Sequence, residues 1–253
     1  MMNSVGRKLA SKQSVFFATS TIFLGYGTYK AKYDPLHIVW DLDHTIICSI
    51  TPVEEAITCT EGLFGDLDYI DHIDDDFDFE DGIPNTRTFF RPGSRTLIQF
   101  LGFFAFNHVY TAAQGTYTKN IMDKLDPKRT LYHTITHRDI VPHHDYHHES
   151  ETKFIGKDLT VVPGLLQTGR LHHRAILFDD RVYNFDPQPE NGVHVKGYHD
   201  ITGYPFDWEV CRMAVILFLA HFSNDVRTVL PLFRSPIHNS KYPLKQQPNE
   251  SKR

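Results

Sequence analysis

Three short apolar runs in this chain each end on side chains that carry chemistry. "HIVW" runs into Asp41 and Asp43, "NHVYTAA" holds Thr111 at its polar end, and "RAILFDD" closes on Asp179 and Asp180. Short, apolar, β-branched runs suit strands covered on both faces, as in a parallel sheet. Helical segments fall between them. "TYTKNIMDKLDP", residues 116–127, places Ile121, Met122 and Leu125 at helical spacing before Pro127 stops it. Thr86–Phe90 reads as a further short strand, and Ser94 is placed to cap a helix over 95–104. "LYHTITHRDI" suits an edge strand, "NGVHVKGY" a fourth short strand, and "DWEVCRMAVILFLAHFSNDVRTVL" a mostly buried helix. Strand and helix alternating in this way define an α/β fold, a doubly wound and mostly parallel sheet, with a small insert after the first strand. In such sheets ligands gather beyond the carboxyl ends of the strands, where these aspartates and Thr111 stand.

Charge divides the chain further. Residues 50–86 hold twelve acids and no Lys or Arg, so the remainder of this net −5 chain is basic. The acidic stretch, densest over 66–81, reads as an irregular insert. "HHDYHH", residues 143–148, reads as an exposed loop, with transition-metal binding as the sharper alternative. Cys48, Cys59 and Cys211 form no disulfide framework and no zinc pattern, which suits a reducing, intracellular setting. Residues 1–33 stand apart as a basic, partly hydrophobic segment, with 34–235 as the main domain and 236–253 as a polar, disordered tail. Residues 13–29 carry no charge and are flanked by basic residues. They read as a short membrane anchor, as part of a mitochondrial presequence, or as an element packed on the domain.

Two strand ends bring four carboxylates toward one place, where repulsion in a low dielectric would be severe. A divalent cation relieves it, and an all-oxygen donor set favours Mg2+ beside a substrate phosphate. Asp41 can then attack phosphorus and Asp43 can handle protons. Thr111 and Lys157 supply the hydrogen bond and the positive charge that a phosphoryl group needs.

The pattern Asp41, Asp43, Thr45, followed in order by Thr111, Lys157 and the Asp179–Asp180 pair, resembles the haloacid-dehalogenase superfamily. "WDLDHTIICS", "FRPGSRTLIQFL", "HVYTAAQGTYTKNIMDKLDP", "IGKDLTVV", "AILFDD", "PENGVHVKGY" and "NDVRTVL" together resemble the small phosphatases of the RNA polymerase II C-terminal domain, also called NLI-interacting-factor-like phosphatases. That resemblance spans about residues 36–232. It implies Asp41 as nucleophile and Mg2+ ligand, and Asp43 as general acid/base that gives its backbone carbonyl to the metal. It implies Thr111 and Lys157 as phosphate binders, and Asp179 and Asp180 as metal-side residues. The implied partner is a phosphoserine or phosphothreonine protein, with no direct nucleic-acid contact. Nuclear-envelope and mitochondrial members make membrane association through 13–29, and a nuclear or mitochondrial address, part of the same expectation. Two alternatives stay open: a non-enzymatic binding module like the mitochondrial import receptor subunit, and a phosphatase for a lipid or small molecule. "DDRVYNF" departs from the family by placing Arg181 where a small residue is common.

Overall fold

The computed structural model describes residues 25–50, 69–71, 87–141, 156–165, 171–199 and 207–243. The His-rich loop, residues 13–24, and the acidic stretch apart from 69–71 lie outside the described residues. The elements run in the order helix α1 (residues 25–33), β1 (Leu36–Trp40), β2 (Ile47–Ile50), β3 (Tyr69–Asp71), β4 (Arg87–Phe90), α2 (Ser94–Leu101), β5 (Ala105–Tyr110), α3 (Gly115–Leu125) and β6 (Thr134–Thr136). Then come α4 (Leu171–Arg174), β7 (Ala175–Asp179), β8 (Gly192–His194), α5 (Trp208–Phe222) and α6 (Pro236–Lys241).

Five strands form a parallel sheet in the order β6-β5-β1-β7-β8. The chain leaves β1 to one side for β5 and β6, then returns to the other side for β7 and β8. β1 is therefore the switch point, the place where such sheets open a ligand crevice. Every residue of β1 and β7 is buried. Alternate side chains explain why: Leu36, Ile38, Trp40, Ile176 and Phe178 enter one apolar cluster with Ile121, Met213 and Ile216 from the helices. Val39, Ala175 and Leu177 enter a second cluster with Leu159, Val162 and Phe185. Asp41 and Asp179 continue the parity of this second face.

Several expectations are corrected. Where a small irregular insert is expected after the first strand, "IICSI" forms β2, and with β4 and β3 it makes a separate antiparallel sheet in the order β2-β4-β3. Ser94 does not cap α2. Gly93 does so with φ of 84°, a left-handed conformation that costs glycine little, and Ser94 is the first helical residue. The α5 helix is not mostly buried, since Trp208, Val215, Phe218 and Leu219 are exposed. The tail expected from 236 opens with α6, whose N-terminus is capped by Ser235 and whose His238 is fully buried against the Pro189 carbonyl.

At the amino end of the sheet, α1 packs on the end of α5. Tyr26 stacks on Phe222, and the Gly27 carbonyl lies 3.0 Å from His221 Nε2. Lys30 is buried there and donates to Asp34, to the Ser223 carbonyl and to Asn224. Arg174, just before β7, is also buried and donates to the carbonyls of Asp34, Ala220, His221 and Ser223. Residues 25–29 of the uncharged stretch thus belong to a docked helix. Among the described residues, no helix is long and apolar enough to cross a membrane.

Candidate active site

Parallel register sets the site. His37 to Trp40 pair with Ala175 to Phe178, so the next positions, Asp41 and Asp179, emerge side by side, and the Asp41 amide donates to the Phe178 carbonyl at 3.0 Å. Carboxylate oxygens of Asp41, Asp179 and Asp180 lie within 4.8 Å of one another. Lys157 follows Gly156 on the approach to a short 3-10 turn at Leu159–Val161. Gly156 is needed because a Cβ there would meet the Tyr183 carbonyl at 2.6 Å. The Lys157 ammonium is buried and bridges Asp41 Oδ1 and Asp179 Oδ2, the latter at 2.7 Å.

The supporting hydrogen bonds fix both carboxylates. Thr45 donates to Asp41 Oδ2 at 3.1 Å, while Asn184 and the Arg181 amide donate to Asp179 at 2.7 and 2.8 Å. Burial raises the Asp41 carboxyl well above its usual range; Lys157 opposes this, and Asp179 and Asp43 add to it. Asp180 is raised in the same way by burial and then by Asp179. Burial alone would lower Lys157, but Asp179 and Asp41 hold it above the ordinary lysine range. One ammonium thus faces a surplus of carboxylate, and the donors are all hard oxygens. That set fits Mg2+, which would be held by Asp41, Asp179 and Asp180.

Asp43 stands outside the carboxylate trio. Its Oδ1 accepts from the Tyr117 hydroxyl at 2.8 Å. Thr111 follows β5 beside β1, fully buried, and its oxygen accepts from the Ala113 amide at 3.1 Å. The hydroxyl hydrogen of Thr111 therefore remains for another acceptor. Asp41, Lys157, Asp179 and Asp180 are brought together directly, Asp43 sits two residues beyond Asp41, and Thr111 ends the neighbouring strand.

Sequence reasoning assigned no role to several residues around this centre. Tyr117 was legible only as a helix position, and Asn184 only as part of "DDRVYNF". Thr45 was visible in the D-x-D-x-T pattern, without the bond that steadies Asp41. Arg91, in "FRPG", is buried and ties the Thr45 carbonyl (2.7 Å), the Lys196 carbonyl (2.5 Å) and Asp207 (2.7 Å) together, which is a structural role. His44, between the two key aspartates and Thr45, adopts φ of 60°, and its ring lies 4.2 Å from that of His199.

The family model for NLI interacting factor-like phosphatases matches residues 36–227. The chain belongs to that family. Among solved structures it resembles an Arg-to-Ala variant of fission yeast RNA polymerase II CTD phosphatase Fcp1 bound to beryllium fluoride. The TM-score is 0.55 at 16% identity, over 85% of this chain and 73% of that one. A second structure, of Fcp1 described as an essential RNA polymerase II CTD phosphatase, gives a TM-score of 0.46 at 19% identity, over 92% of this chain and 58% of that one. No curated protein matches the chain.

Proposed function

We propose that the chain is a Mg2+-dependent phosphatase of phosphoserine or phosphothreonine proteins that works through a phosphorylated Asp41. The carrying observation is the cluster of buried Asp41 and Asp179 with half-buried Asp180 around Lys157 at the sheet's switch point. Beryllium fluoride, held by the fission yeast enzyme of like fold, has the shape and charge of a phosphoryl group, which supports a phosphoryl pocket in the same place.

The residues divide the work. Asp41 attacks phosphorus while the bond to the serine or threonine oxygen breaks, and Asp43 gives that oxygen its proton. Asp43 then takes a proton from the water that hydrolyses phospho-Asp41. Lys157 and Thr111 neutralise and hydrogen-bond the phosphoryl oxygens. When bound, Mg2+ supplies the charge that keeps the carboxylates ionised and draws electron density from the phosphoryl group.

The test is phosphate release by the full chain from Ser/Thr phosphopeptides and from 4-nitrophenyl phosphate, with Mg2+ or with chelator. Mg2+-dependent turnover of phosphopeptides is expected, lost in Asp41→Asn. Wild-type rates in that variant would overturn the reading. Faster turnover of phosphatidic acid than of peptides would shift it to lipids. No turnover of any phosphate ester would favour a binding module.

A further inference from the structure

Among the described residues the small antiparallel sheet supplies none of the clustered carboxylates, yet it reaches the active site through hydrogen bonds. Ser49 in β2 and Thr88 in β4 are cross-strand partners, and their side-chain oxygens lie 2.7 Å apart. Ser49 Oγ lies 2.7 Å from the Tyr117 hydroxyl, which donates to Asp43 Oδ1 at 2.8 Å. A phenol has one hydrogen, and here it goes to Asp43. Ser49 must then donate to Tyr117, and Thr88, which lies against Ser49 and also reaches the Tyr117 hydroxyl, adds its hydroxyl to the same cluster. The Ser49 and Tyr117 O–H groups run in line toward the same carboxylate, and such aligned rows strengthen one another in a low dielectric. Three elements, β2, β4 and α3, thus converge on one oxygen of a side chain that follows β1.

We infer that Tyr117, oriented by Ser49 and Thr88, is a positioning residue that holds the Asp43 carboxyl by Oδ1 and leaves Oδ2 as the oxygen that carries the transferred proton. This rests on the phosphatase reading above and assigns the antiparallel sheet its part in it. In the first step the proton on Oδ2 passes to the serine or threonine oxygen as the P–O bond breaks and the new bond from Asp41 forms. Asp43 is left as a carboxylate, with Tyr117 still donating to Oδ1. Without that tether the side chain is free to rotate about its Cβ–Cγ bond, and the proton is misplaced for part of the time.

The consequence is selective. An alkoxide leaving group needs the proton, whereas 4-nitrophenolate departs without one. The experiment compares kcat/KM of the full-length wild type, Tyr117→Phe and Ser49→Ala on a phosphoserine peptide and on 4-nitrophenyl phosphate. Because kcat/KM covers steps through phosphorylation of Asp41, slow hydrolysis of that intermediate does not mask the effect. The expected result is a fall of about tenfold or more in the peptide-to-aryl ratio for Tyr117→Phe, and a smaller fall for Ser49→Ala. A ratio unchanged in both variants, whether the two rates drop together or not at all, overturns the inference and leaves the phosphatase reading intact. A wild-type chain inactive on both esters overturns both.

Discussion

The two ends of strand β7 each bury a cation, and they satisfy it in opposite ways. Arg174, before the strand, is met by backbone carbonyls and one shared carboxylate, Asp34, which also pairs with Lys30. Positive charge is in surplus there, and neutral dipoles absorb it. Lys157, at the other end, is met by the carboxylates of Asp41 and Asp179, with Asp180 beside them. Negative charge is in surplus there among the described residues: three carboxylates surround Lys157, and Arg181 acts on Asp180 through space. An end completed by carbonyls is a structural fastening. An end left short of positive charge is built for something that arrives later.

The sharpest way to break this contrast is to neutralise one group at each end. Asp41→Asn should lower phosphatase activity by roughly a thousandfold or more, as losing a covalent nucleophile does. It should leave the melting temperature unchanged or raised, since a buried carboxylate disappears from a crowded cluster. Steady-state kinetics with a thermal melt checks both. Arg174→Leu should do the reverse. Stranding its carbonyls should cost about 4 kcal/mol in urea unfolding, with kcat of the folded fraction preserved. If Arg174→Leu abolished activity at full stability, the contrast would fail.

Acid should destabilise the fold through the amino end, where buried histidines resist protonation. His37 and His108 are buried in contact, 3.2 Å apart; burial lowers His37 to about 4, with His133 and Arg174 adding to it, and lowers His108 to about 3, with His37 and His133 adding to it. In the unfolded chain both return to the ordinary value near 6.5. Above that pH they are neutral in both states and contribute no slope. As pH falls from about 6.5 toward 4, the unfolded chain takes up protons that the fold refuses, so stability drops by roughly 3 kcal/mol for His37 alone. Urea midpoints measured across that range should show it, and His108→Gln should flatten the curve. The smallest effect belongs to the other end. Mg2+ at a hundredfold excess over its Kd should stabilise the wild type by about 2.7 kcal/mol, and Asp180→Asn should shrink the accompanying rise in melting temperature.

What was legible in the sequence follows the same division. β1 and β7 could be read because strands buried on both faces show as mostly apolar runs, β5 and β8 because a few apolar residues stand together between polar ends, and α3 because its apolar residues recur at helical spacing. Asp41, Lys157, Asp179 and Asp180 stand at fixed places relative to those runs, so their convergence could be anticipated. β2 could not, because no turn residue separates it from the D-x-D-x-T loop. The Ser94 cap was misread because the left-handed turn at Gly93 moved the helix start by one residue. Tyr117 and Asn184 act through single tertiary hydrogen bonds, which leave no periodic trace. Lys30 looked like a flank of an uncharged stretch, because nothing local shows that its partners lie some 190 residues away at Ser223 and Asn224.

That last contact bears on how the protein can be handled at the bench. A recombinant fragment that begins at residue 34, the point where charge patterning suggests cutting, would lack Tyr26, Gly27 and Lys30. It would uncover the Phe222 ring and strand the carbonyl of Ser223, whose remaining partner is Arg174. Such a fragment should express poorly and clump, whereas one that starts before residue 25 retains the helix that closes the amino end of the sheet.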